Sequence, residues 1–221
     1  MKETIAGVAL QIDAEAIVVT AEAPLAILSS AVVGGGFLLA RALINLHVPK
    51  DFPCESPETS LAELVRRRSV PLPYVGFLTS AWTEKAEVAY EEARGVAALA
   101  VVTVGLGNPI AAGRSPLASG SAPSTINVIV VVDADPSPAA LVNAALTVTE
   151  VKTATLAAWG VLCADGALAS GTSTDAVAIA ATARGRSCRY GGPVSELGWV
   201  VARAARAALE AGIRRWAGDH A

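Results

Sequence analysis

The sequence predicts a single α/β domain in which a largely buried β-sheet is covered by helices, with the strand order left open. Three observations predict it. Continuous apolar runs of strand length stand at 96–104, 126–132 and 176–182, the pattern of strands buried on both faces. Long helical stretches stand at 138–159 and at about 194–217. The 221 residues hold no internal repeat and no clear linker, so the domain is taken as 1–221.

The chain opens as a hairpin, with β-rich runs at 8–12 and 16–20 separated by Asp13-Ala14-Glu15. A third apolar run, 25–33, ends at Gly34-Gly35-Gly36, and 38–46 fits a short helix or a strand. Residues 50–58 read as a loop. Thr59 or Ser60 then caps a helix through Arg68, with Glu63 as the returning acid. A buried strand is expected at 75–79, and an amphipathic helix or charged crossover at 83–94. The small, Pro/Gly-rich stretch 111–124 reads as a flexible loop. The best helix follows: Ser137 is its N-cap, Pro138 its first residue and Gly160 its stop.

Charge and composition narrow the function classes. A net charge of −3 and a pI near 5.4 leave no basic footprint for nucleic acid. The run Arg66-Arg67-Arg68 suits the solvated end of a helix. Cys54, Cys163 and Cys188 lack CxxC spacing, which favours a reducing compartment, and Glu3 and Asp13 interrupt any opening signal sequence. A cytoplasmic protein is therefore expected. A mean hydropathy of +0.50 invites a membrane reading. The longest uncharged runs are nevertheless broken by Pro24, Gly34-Gly35-Gly36, Gly105, Gly107 and Pro109, so no span is expected. His47 and His220 have no metal-ligand spacing, so no catalytic metal is expected. No phosphate loop, dinucleotide fingerprint or GxSxG elbow is present.

Chemistry is expected at strand ends rich in glycine, hydroxyl and amide groups. Thr103 leads into Gly105-Leu106-Gly107-Asn108, Asn127 and Asp133 bracket another strand, and Gly171-Thr172-Ser173-Thr174-Asp175 precedes a third. The glycines of the first segment let backbone amides approach a ligand, though the segment serves equally as a tight turn. The last supplies hydroxyls and a carboxylate, or a turn that satisfies its own backbone. On the long helix, Asn143, Thr147 and Glu150 lie at i, i+4 and i+7. A carboxylate within a buried apolar helix must be paired or perturbed, which makes Glu150 a general-base candidate or a member of a structural hydrogen-bond stripe. Lys152 sits on another face and is free to pair with a different acid.

These segments, in order, resemble one known family. Asn45-Leu46-His47-Val48-Pro49-Lys50-Asp51-Phe52 is similar to its N-x-x-V-P-x-x-aromatic stretch, and Gly105-Leu106-Gly107-Asn108-Pro109 to its G-L-G-N loop. Ile126-Asn127-Val128, Thr149-Glu150-Val151-Lys152-Thr153-Ala154, Gly171-Thr172-Ser173-Thr174-Asp175 and Gly191-Gly192-Pro193 resemble its later motifs. The family is that of the adenosylcobinamide amidohydrolases, and the likeness covers roughly 30–210. His47 departs from the arginine or similar polar residue more usual there and is given no role.

The resemblance implies hydrolysis of adenosylcobinamide to adenosylcobyric acid and aminopropanol in corrinoid salvage. The corrinoid is then a substrate, and no cofactor is expected. Amide hydrolysis needs a nucleophile, a proton acceptor and oxyanion stabilisation. Glu150 is expected as general base, with Asp175 as its rival, and Thr172 or Thr174 at the oxyanion. Asn45, Thr103, Gly105, Gly107, Asn108, Asn127, Asp133, Asn143, Lys152 and Gly171 are expected to bind substrate in the same cleft. A corrinoid carrier without hydrolysis and an amidase for another small amide are the alternatives. A homo-oligomer stays open.

Overall fold

The structure, a computed structural model, describes residues 4–52, 56–117 and 124–220. Cys54 and part of the expected 111–124 loop lie outside them.

In chain order the elements are β1 (Val8–Ile12), β2 (Ala16–Ser29), β3 (Gly36–His47), α1 (Pro57–Arg68), β4 (Tyr74–Thr79), β5 (Glu87–Ala93) and β6 (Val96–Val104). Then come β7 (Pro109–Ile110), β8 (Ile126–Asp133), β9 (Asp135–Pro136), α2 (Pro138–Ala158), β10 (Gly171–Thr172), β11 (Ala176–Ala181), β12 (Ser187–Cys188) and α3 (Glu196–Asp219).

The main sheet runs β4-β3-β2-β11-β8-β6-β5, with β1 added to β2. It is mixed: β3 with β4 and β8 with β11 are parallel, whereas β2 with β3, β2 with β11 and β6 with β8 are antiparallel. The register of β2 on β3 shifts between Thr20 and Leu25, and a shift of this kind bends a strand.

Alternation along the strands builds three cores. Ala98, Ala100, Val128, Val130, Ile179 and Ala181 face α2 and α3. Their neighbours Leu99, Ile129, Val131, Ala178 and Ala180 point the other way, onto Val19, Ile27, Leu43, Val75 and Phe77 of β2, β3 and β4. The outer face of those strands carries Val18, Ala42, Ile44 and Leu46, which α1 covers with Leu61, Leu64 and Val65. The result is four layers, helix–sheet–sheet–helix, with two halves of one sheet packed face to face. Phe77, Ile27 and Leu43 are fully buried between the halves. Burial of such a side chain contributes about 1.5–3 kcal/mol, so the middle core clamps the halves together.

Two local expectations need correction, and one open between helix and strand is decided. Residues 83–94 form no helix: a short 3-10 turn at Thr83–Lys85 leads into β5, an edge strand on β6. Arg94 and Gly95 both have positive φ, 52° and 76°, the requirement of a two-residue type I′ hairpin turn. The acids that read as amphipathic helix, Glu87 and Glu91, pair with Arg215 and Arg203 of α3. Helix α1 starts at Pro57 after Ser56, earlier than the Thr59 or Ser60 cap, because proline suits the first helical position. Residues 38–46 are strand, within β3. The Ser137 cap is found as expected, its hydroxyl accepting from Ala140 N–H at 3.1 Å.

Candidate active-site cleft

Strand order decides which ends meet. The antiparallel pairing of β6 and β8 sets Thr103 opposite Asn127, and the parallel pairing of β11 and β8 sets Ala176 beside Asn127. On the other half, β3 and β4 run in parallel and end together at His47 and Thr79. The starts of β8 and β11 and the ends of β3, β4 and β6 therefore share one edge of the sandwich.

A buried amide network joins the two halves there. Asn45 Nδ2 donates to Thr103 Oγ1 at 3.0 Å. Asn127 Nδ2 donates to Asn45 Oδ1 and to Leu78 O, both at 2.9 Å. Asn45, Thr103 and Asn127 are each at most 2% exposed. Unsatisfied polar groups at that depth would each cost about 1–3 kcal/mol, so the network specifies how the halves align.

Beside it the 171–175 segment closes on itself around Asp175. Asp175 Oδ1 accepts from Ile126 N–H at 2.9 Å and from the Thr172 hydroxyl. Asp175 Oδ2 accepts from Thr172 N–H at 3.0 Å and pairs with Lys152 Nζ. The Lys152 and Asp175 side chains are only 10% and 9% exposed. Gly171 is required here, because a Cβ would stand 2.3 Å from Asp175 Oδ2 and 2.7 Å from Lys152 Nζ. Thr174 Oγ1 donates to Ser124 O at 3.1 Å. Gly107 N–H donates to Ser124 Oγ at 2.7 Å, Gly105 N–H donates to Thr125 O at 3.0 Å, and Asn108 Nδ2 donates to Ser173 Oγ at 2.7 Å.

Two adjoining cavities open along this edge. One, of about 360 Å³, is lined by Thr79, Ser80, Thr125, Asn127 and Thr174, with Val32 and Phe52 among its apolar walls. The other, of about 420 Å³, is lined by Gly105, Gly107, Ser124, Trp82 and Trp216. Lys50 and Ser80 border both. His47 stacks on Trp82 with ring centroids 4.7 Å apart, and its Nδ1 lies 3.0 Å from Ala81 O. A carbonyl only accepts, so Nδ1 carries the proton and His47 buttresses the wall.

Asn45, Thr103, Gly105, Gly107, Asn108, Asn127, Lys152, Gly171, Thr172, Thr174 and Asp175 are thus brought together. Asp133, Asn143 and Glu150 are not. Asp133 ends β8 at the far edge, about 20 Å from Asn127 at 3.3 Å per residue. It accepts there from Thr182 Oγ1 at 2.7 Å and pairs with Arg184 at 3.1 Å. Asn127 and Asp133 are both expected in the cleft, but they stand at opposite ends of β8 and only the Asn127 end faces it. Asn143 and Glu150 are exposed on α2, whose buried face is centred on Ala144, Val148, Lys152 and Thr155. Only Thr147 of the expected stripe is buried, donating to Gly191 O at 3.1 Å. The helix is apolar on both sides, with Val142 and Leu146 also exposed, so its composition does not reveal which side packs. Without burial, the ground for Glu150 as base disappears. Asp175, its rival, has both oxygens engaged by four donors, an arrangement that positions neighbours.

Ser124, Thr125, Thr79, Ser80 and Lys50 were not among the expected site residues. Pro49-Lys50-Asp51-Phe52 was legible as part of a motif. The other four become neighbours only through the packing of one sheet half on the other. Among the described residues no group of three His, Cys, Asp or Glu is placed to hold a metal ion, and no helix is long and apolar enough to cross a membrane.

Comparison with known proteins gives one match across the whole chain: the model of the adenosylcobinamide amidohydrolases fits residues 1–221. No curated protein sequence matches significantly. Among solved structures, a Burkholderia sp. beta-aminopeptidase aligns over 93% of this chain and 79% of its own, with 14% identity and a TM-score of 0.49. The L-aminopeptidase D-Ala-esterase/amidase of Ochrobactrum anthropi aligns over 94% and 83%, with 12% identity and a TM-score of 0.48.

Proposed function

The chain belongs to the adenosylcobinamide amidohydrolase family and is a C–N amide hydrolase, and on that premise we propose that it cuts the amide joining aminopropanol to a corrin side chain of adenosylcobinamide. The products are adenosylcobyric acid and aminopropanol. The observation that carries the reading is the convergence of the separate family-like segments, at 45–52, 105–108, 126–127 and 171–175, on one cleft edge.

The cleft's chemistry supports an amide substrate. An amide offers one acceptor and one donor, and the hydroxyls of Thr79, Thr125 and Thr174 supply both kinds of partner on one wall. A cavity of about 360 Å³ suits a single side arm, with the macrocycle resting at a mouth edged by Val32, which is 55% exposed. Lys152 and Asp175 hold the 171–175 segment rigid, so that Thr172 and Thr174 keep fixed positions. Preorganised donors stabilise an oxyanion without reorganising during reaction. The Thr174 proton goes to Ser124 O and Thr172 is buried at 5% exposure, so both serve the frame, and Thr79, which lines the same cavity, is the donor for that charge.

The test is direct. Purified protein incubated with adenosylcobinamide and no ATP is expected to release aminopropanol and adenosylcobyric acid in equal amounts. Intact substrate, or strict dependence on ATP, would contradict the reading. Cobinamide lacking the adenosyl group and simple amides, run alongside, define how narrowly the cleft selects.

A further inference from the structure

We propose that the hydroxyl of Thr125 is the nucleophile that attacks the scissile carbonyl, an assignment that rests on the amide-hydrolase reading above. Four hydroxyls line the smaller cavity: Thr79, Ser80, Thr125 and Thr174. Thr125 differs from the others in how its proton is held. Its Oγ1 lies 2.9 Å from Thr174 O and 3.1 Å from Asn127 Oδ1, and both are pure acceptors. The orientation of the Asn127 amide is set independently, because its Nδ2 donates to Asn45 Oδ1 and Leu78 O. The single Thr125 proton therefore points into the protein, and the oxygen's lone pairs are left for the cavity. Thr174 also directs its proton inward, but to a single acceptor, Ser124 O, whereas the Thr125 proton is held between two.

The backbone around Thr125 is pinned on both sides. Its own carbonyl accepts from Gly105 N–H at 3.0 Å, and the next residue's N–H donates to Asp175 Oδ1 at 2.9 Å. Thr125 stands immediately before β8, a central strand, and is 4% exposed while still lining the cavity. The 105–107 and 171–175 segments bond to this residue or its immediate neighbours, and Asn45 and Leu78 bond to Asn127 two residues on. A nucleophile fixed in this way loses little freedom on reaching the transition state.

The step balances without an added co-reactant. Thr125 Oγ1 bonds to the carbonyl carbon, its proton turns from Thr174 O and Asn127 Oδ1 to the departing nitrogen, and the C–N bond breaks to release aminopropanol. Water then adds to the Thr125 ester, releasing the carboxylic acid and restoring the hydroxyl. Thr79, whose Oγ1 accepts from Ala81 N–H at 3.1 Å, keeps its own proton to donate to the developing oxyanion, and the Lys50 ammonium borders the same space.

The experiment compares wild type, T125S and T125V on adenosylcobinamide, with hydroxylamine added to the wild-type reaction. T125V preserves side-chain shape and is expected to lose turnover on the order of 10³-fold or more, while T125S retains measurable turnover. Hydroxylamine competes with water for the acyl-threonine, so the wild type is expected to yield the hydroxamate of cobyric acid together with aminopropanol. This readout does not depend on any variant folding. Wild-type turnover with no hydroxamate, or T125V within 10-fold of wild type, overturns the nucleophile alone and leaves the substrate reading intact. A wild type that releases no aminopropanol overturns the substrate reading and this assignment with it.

Discussion

Replacing Asp175 by asparagine keeps its shape but removes the one negative charge facing Lys152. The two carboxylate oxygens accept four hydrogen bonds, two on each. An asparagine presents an NH₂ at one of those positions, so whichever way it turns, two donors face a donor. If the NH₂ replaces Oδ2, it opposes the Thr172 N–H and the Lys152 ammonium, which is 8% exposed and has no other acceptor among the described residues. Breaking a buried ion pair by removing one partner costs about 3–5 kcal/mol. For a domain of this length each kcal/mol corresponds to about 2–4 °C in Tm, so D175N should melt roughly 10 °C below wild type. The assay is thermal unfolding by circular dichroism at pH 7 for D175N, K152M and the double variant. The double variant removes the uncompensated charge and should be more stable than the sum of the single losses predicts, with a coupling of about 1–3 kcal/mol. A D175N melting within 2 °C of wild type, or strictly additive losses, would refute the reasoning.

Glu150→Gln should leave turnover within about twofold of wild type, since surface changes away from a site are small; a steady-state rate falling by 10²-fold, as loss of a general base would cause, would return Glu150 to the mechanism. Turnover should persist after dialysis against a strong chelator, and a loss that zinc alone restores would show a metal requirement. At the α1 edge, the Arg68 hydrogen bond holds the Asp13 carboxyl down at about 2, from an ordinary 3.8. The folded value is the lower one, so this contribution is present above pH 3.8 and lost as pH falls toward 2. Asp13 is 47% exposed, which keeps the pair in the modest range of solvent-screened salt bridges. The difference in Tm between wild type and D13N should accordingly be constant from pH 5 to 8 and shrink below about pH 4.

Much of the fold was legible because its signals are local. The runs at 96–104 and 126–132 became β6 and β8 nearly residue for residue, and the Ser137-Pro138 start and Gly160 stop of α2 stand where capping rules put them. Strand β5 was missed because an edge strand with one charged face carries the same polar–apolar mixture as an amphipathic helix, and Arg94-Gly95 is a weaker turn signal than Asn-Gly. Of the site, Asn127, Gly105, Gly107 and the 171–175 segment were visible as hydroxyl-, amide- and glycine-rich strand ends. Their grouping was not, since it depends on strand direction: Asn127 and Asp133 lie on the same strand but at opposite edges of the molecule. The Lys152–Asp175 pair spans 23 residues and a change of element, beyond the reach of any helical period. Thr125 was passed over because it adjoins a stretch of small residues in the sequence and belongs to no charged or glycine-rich pattern.

The most direct test of the whole account is the structure of the protein bound to adenosylcobyric acid. The freed carboxylate arm is expected in the cavity walled by Thr79, Thr125, Asn127 and Thr174, with the corrin ring across the mouth near Val32 and Phe52. Corrinoid bound instead along the exposed face of α2 near Asn143 and Glu150, or beside Asp133 at the opposite edge, would contradict it.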